Sequence, residues 1–86
     1  MATLIKSTGE INEVRPANGK TWSLKELQGF VGGYIEIVRM PANFQQVMVV
    51  NEEGTLDGLP ANPIASREAM RPIVGDVLIC FSKEID

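Results

Sequence analysis

Histidine is absent from the 86-residue chain, and cysteine, tryptophan and tyrosine occur once each. Without histidine there is no Ser-His-Asp or Cys-His nucleophile, no imidazole metal ligand and no side chain that ordinarily titrates near neutral pH. A lone cysteine forms no disulfide within the chain, and one thiol without histidine argues against a zinc site. Cys80 sits inside the apolar run Val77–Phe81, the setting of a buried structural thiol rather than a reactive one. A single thiol also fits a reducing compartment. The longest apolar runs are about five residues, far short of the ~20 that span a bilayer. Residues 1–6 lack the basic-then-apolar pattern of an export signal. No phosphate-binding loop, dinucleotide fingerprint or calcium loop is present. The expectation is a cytoplasmic, non-enzymatic protein with no cofactor, no metal and no membrane partner.

Positive charge is also scarce: 8 Lys and Arg stand against 11 Asp and Glu, for a net charge of −3. A nucleic-acid binder normally carries a basic patch to neutralise phosphates, so nucleic acid is not expected as a partner. The acidity is too weak for a mimic of DNA. A small anionic ligand stays compatible, because a few arginines and backbone amides suffice to hold one.

The chain is ordinary for a globular protein, with 44% hydrophobic and 22% charged residues. Its length implies one domain, 1–86. A domain of this size buries only about 60–65% of its unfolded surface. The core is therefore thin, and association into a homo-oligomer would extend it.

Thr3 to Ser7 reads as a first strand, and Ile11 to Val14 as a weak edge strand before the Asn18-Gly19 turn. Ser23, with Glu26 three residues on, forms a capping box. Leu24, Leu27, Phe30 and Val31 then share one helical face, and Gly32-Gly33 stops the helix. Tyr34 to Met40 alternates, placing Ile35 and Ile37 toward the core and Glu36 on the wetter face. Gln46 to Asn51 reads as a central strand and Thr55 to Leu59 as a short returning strand. Asn62-Pro63 starts a second helix that ends near Met70, because Pro72 disfavours helical geometry at Arg71. Val77 to Ser82 is the last strand, followed by a short polar tail, Lys83 to Asp86. The pattern implies an α+β domain: a small antiparallel or mixed sheet of about four or five strands with two short helices on one face.

Several residues carry two readings each. Trp22 and Tyr34 suit stacking on a base or ring, and Trp22 equally suits packing over the helix start. Gly33, in the Gly-Gly pair, permits close backbone approach of a ligand or serves only as a helix stop. Glu52, in Glu52-Glu53-Gly54, suits a cation or a ribose hydroxyl pair, or is a solvated turn. Arg67 and Arg71 are one helical turn apart, so with Arg39 they form a phosphate clamp or simply a solvated face. Asn62 is a helix cap or part of an anion site.

Taken together, the stretches Leu24-x-x-Leu27-Gln28-x-x-Val31-Gly32-Gly33-Tyr34-Ile35-Glu36, Asn51-Glu52-Glu53-Gly54, Gly58-Leu59-Pro60-x-Asn62-x-x-Ala65 and Ile73-Val74-Gly75-Asp76-Val77 resemble a family of short, uncharacterised proteins of phages, plasmids and other mobile elements. The resemblance covers residues 22–81 as a core and leaves 1–21 as a variable segment. It implies a protein acting in a host cell's cytoplasm. Small proteins of that origin often counter host defence, either by sequestering a nucleotide signal or by binding a host protein. The core does not require polar residues at Glu36 and Asn51, and ligand contact is an alternative role for both.

Two functions follow as expectations. One is sequestration of a small nucleotide immune signal, of cyclic dinucleotide or cyclic ADP-ribose type, by a homo-oligomer. Its contacts would come from Trp22, Gly33, Tyr34, Glu36, Arg39, Asn51, Glu52, Asn62, Arg67 and Arg71. The other is inhibition of a host protein through an exposed apolar or acidic patch.

Overall fold

A computed structural model describes residues 2–85. Five strands, β1 (Ala2–Ile5), β2 (Ile11–Val14), β3 (Ile35–Arg39), β4 (Gln46–Asn51) and β5 (Val77–Phe81), form one sheet in the order β2-β1-β5-β4-β3. Every pairing is antiparallel. Helix α1 (Leu24–Val31) lies between β2 and β3 in sequence, and α2 (Pro63–Ala69) between β4 and β5. The domain is α+β, as the sequence predicts.

The helices differ from expectation in their placement: they cover opposite faces of the sheet. Leu27 and Val31 of α1 pack with Leu4, Val49, Leu78 and Cys80. Ala65 and Ala69 of α2 pack with Ile5, Met48, Val50, Val77 and Ile79. The cause lies in the two innermost strands. Val47–Val50 and Val77–Cys80 are apolar at every position, so side chains of both parities need cover, and one helix per face supplies it.

Local signals hold well. Ser23 caps α1 through its side chain, Glu26 completes the box, and Gly32 ends the helix at φ 80°. Asn62 caps α2 ahead of Pro63, and Met70 ends that helix in the left-handed region at φ 56°. Three expectations fail. Residues 55–58 continue a run of turns into Leu59, closed by Gly58 N–H to Thr55 O at 3.2 Å and Leu59 N–H to Gly54 O at 3.0 Å, because the segment lacks the apolar alternation that docks a strand. Ile37 is 43% exposed, whereas Val38 and Met40 on the other parity are buried; α1 covers only the Ile35 end of β3, and α2 covers the opposite face. The polar tail is built into the fold. Ser82–Glu84 form a short 3-10 helix, Trp22 N–H donates to Glu84 O at 2.8 Å, and Ile85 bridges to Trp22; Asp86 lies outside the described residues.

Candidate functional site

The expected ligand residues divide into three groups. Trp22 and Asn62 are buried and already committed to the fold. The indole of Trp22 meets Phe30 edge-on, with centroids 5.3 Å apart, inside the α1-side core. Its ring face is therefore closed to a base.

Asn62 is wholly buried. Its Nδ2 donates to Ile5 O at 3.1 Å and Gly75 O at 2.9 Å, and its Oδ1 accepts from Ala65 N–H at 3.1 Å. It is a tie between β1, the entry to β5 and α2, with no polar atom left for an anion.

Arg39 and Arg67 make a second group, exposed but apart from the rest. Arg39 lines a groove of about 470 Å³ with Ile37, Phe44, Val47 and Ser82. Arg67 stays on the exposed surface of α2. The expected three-arginine clamp does not form. Met70 takes the left-handed conformation and ends the helix, so Arg71 leaves the α2 surface and turns toward the β3–β4 end.

The third group converges there. Glu36, Asn51, Glu52 and Arg71 line one small groove of about 90 Å³, floored by Val50 and Ile73. Gly33, Tyr34 and Asn51 line a second of about 320 Å³ with Gln28, Glu53 and Asp57. The two grooves adjoin at Asn51. Its Nδ2 donates to Val31 O at 3.1 Å, sealing the end of α1, and its Oδ1 accepts from Glu53 N–H at 2.8 Å, shaping the turn. Gly33 allows this packing, because a Cβ there would stand 3.0 Å from Asn51 Nδ2. Glu52 N–H donates to Tyr34 O at 2.8 Å, which fixes the β3 entry against the β4 exit. Tyr34 itself is 67% exposed, with its ring free to stack. Glu53 adjoins a residue that sequence reading selected, whereas Asp57 carries no signal in its spacing and is found only through the turns that bring it back.

Burial pushes the Cys80 thiol up to about 11, with the Glu84 charge adding to the effect. It is a core group, as the apolar run implies. Among the described residues no three His, Cys, Asp or Glu side chains gather to hold a metal. No helix among them is long and apolar enough to cross a membrane.

Fold and grooves define a small single-sheet α+β domain whose candidate site is a polar rim at the β3–β4 end. The chain belongs to a family described as a domain of unknown function, DUF3846, whose model matches residues 2–86. That match takes in β1 and β2 as well as the motif-bearing stretch. No curated protein and no solved structure matches the chain.

Proposed function

We propose that this domain is a non-enzymatic binder that holds a small nucleotide across the two adjoining grooves, and that in a phage or mobile-element setting it keeps a host nucleotide signal from its receptor. The observation that carries the reading is the convergence of Glu36, Asn51, Glu52 and Arg71 from three separate chain segments on one groove, beside the exposed Tyr34. Arg71 suits a phosphate, the two carboxylates suit ribose hydroxyls, and the Tyr34 ring suits the face of a base. Ligand pockets run to about 300–1,000 Å³. The Tyr34 groove meets the lower bound, and the Arg71 groove is the size of a single phosphate or hydroxyl pair.

Native mass spectrometry of the protein with a panel of cyclic and ADP-ribose-derived nucleotides tests the reading. The expected result is retention of one of them unchanged, weakened by Tyr34→Ala and by Arg71→Ala. Both side chains are exposed, so neither change disturbs the core. Retention of none, or retention indifferent to both substitutions, refutes it. A protein partner then becomes the better reading, favoured by the exposed Leu56 and Met70, 84% and 78% accessible.

A further inference from the structure

β3 ends the sheet, and the register identifies which of its amides are unused. Glu52 N–H bonds to Tyr34 O, and Ser82 N–H bonds to Gln45 O. In an antiparallel ladder hydrogen-bonded pairs alternate with non-bonded ones. Tyr34 stands opposite Glu52 by extension of the β3–β4 register, so Glu36 and Val38 bond to Val50 and Met48. The β4–β5 register agrees independently: Val47 and Val49 face β5, leaving Met48 and Val50 for β3. The N–H and C=O groups of Ile35, Ile37 and Arg39 therefore point outward, along an open edge.

The side chains of those same three residues share the α1 side of the sheet, where Ile35 packs against the α1 core. Ile37 is 43% exposed and Phe44, beside it, 87%. Arg39 lines its groove with no carboxylate. At the other end of β3, the Tyr34 groove holds Glu53 and Asp57 with no cation among its lining residues. One strand thus carries a cation at one end, a carboxylate pair beside the other and an exposed isoleucine midway.

We propose that β3 pairs with β3 of a second copy of this chain, antiparallel about Ile37. Ile37 then faces Ile37, and each Ile35 faces Arg39 of the other copy, in three hydrogen-bonded pairs giving about six backbone bonds. Directly opposite residues in such a ladder lie about 5.5 Å apart at Cα. The Arg39 guanidinium of one copy therefore reaches the Glu53–Asp57 groove beside Ile35 of the other, and the two-fold axis repeats the contact. The two sheets become one continuous sheet, with the Ile37 and Phe44 side chains meeting on its α1 side. A short edge with one apolar contact per copy is a small interface, so the dimer is weak and concentration-dependent. The inference does not rest on the nucleotide reading, since it uses neither Arg71 nor Glu36, but Arg39 of the second copy enters the same Tyr34 groove in which that reading places the base.

Amide hydrogen exchange by NMR at low and high protein concentration, with light scattering for mass, tests it. The expected result is a dimer at high concentration, with protection of the Ile35, Ile37 and Arg39 amides rising while that of Glu36 and Val38 stays high throughout. Arg39→Glu weakens association by about tenfold or more, and adding Glu53→Lys with Asp57→Lys to the same chain restores it. Ile37→Pro removes an outward N–H, which an edge strand tolerates, and abolishes the dimer while circular dichroism stays native. A monomer at every concentration, a dimer that protects β2 instead, or association indifferent to Arg39→Glu overturns the proposal.

Discussion

Replacing Asn62 by alanine tests the central tie of the fold. The side chain makes three hydrogen bonds to three segments from a site with no solvent access. Loss of the cap to Ala65 costs about 1 kcal/mol. Removing Nδ2 takes a buried donor from the Ile5 and Gly75 carbonyls, at about 1 kcal/mol or more each. The total is about 3 kcal/mol before any cavity is counted, against a stability of roughly 4–13 kcal/mol for a domain of this length. For a chain of this size that corresponds to a fall in Tm of roughly 12–24 °C. Urea denaturation at fixed pH, followed by circular dichroism, measures it, and Asn62→Asp is the control. Aspartate keeps the capping oxygen but discards both donors and points an anion at two carbonyls, so it too is strongly destabilising. If Asn62→Ala costs less than about 1 kcal/mol, or if aspartate is as stable as asparagine, the three-way tie is wrong and the residue is only a helix cap.

Gly75 has φ +76°, and a Cβ there would lie 2.8 Å from Leu59 Cδ1; Gly75→Ala is expected to lose about 1–3 kcal/mol by the same assay, and Gly9→Ala less, since its φ of +97° is strained but nothing lies within 4 Å. The Ser23 and Ala17 amides donate to the Glu26 carboxylate and hold its pKa below the ordinary 4.5. A depressed folded-state value means that its contribution is whole above 4.5 and is lost as pH falls through the lowered value. Glu26→Gln is therefore expected to flatten the acid limb of a stability-versus-pH series; an unchanged limb refutes the assignment.

What could be read from the sequence was local. The Ser23–Glu26 box, the Gly32 stop and the Asn62-Pro63 start each depend on residues within one helical turn, and all three occur as expected. The alternation of β3 was legible, but which parity is buried was not. That depends on how far α1 reaches along the strand, a tertiary matter. The opposite-face arrangement of the helices was implicit in the unbroken apolar runs of β4 and β5, which an assumption of one covered face overlooked. For the candidate site, Glu36, Asn51, Glu52 and Arg71 came together although they are up to 35 positions apart in the chain. Of the two roles that Asn62 suits in the sequence, the helix cap is present, whereas its tie to β1 and the entry to β5 is not legible there. Its bond to Ile5 O spans 57 positions, and no spacing rule announces such a partner. Helical periodicity pairs Arg67 with Arg71 only if the helix runs on through Met70, whose left-handed conformation ends it.

The enclosure of Trp22 has a spectroscopic consequence. The chain has one tryptophan, held edge-on against Phe30 beneath α1, outside the residues that line either groove. Its emission will shift when the α1-side core opens and stay nearly constant when the rim is occupied. The single tyrosine, Tyr34, stands at that rim. The two chromophores thus divide the labour: indole fluorescence follows folding, while changes in phenol absorbance follow events at the β3–β4 end.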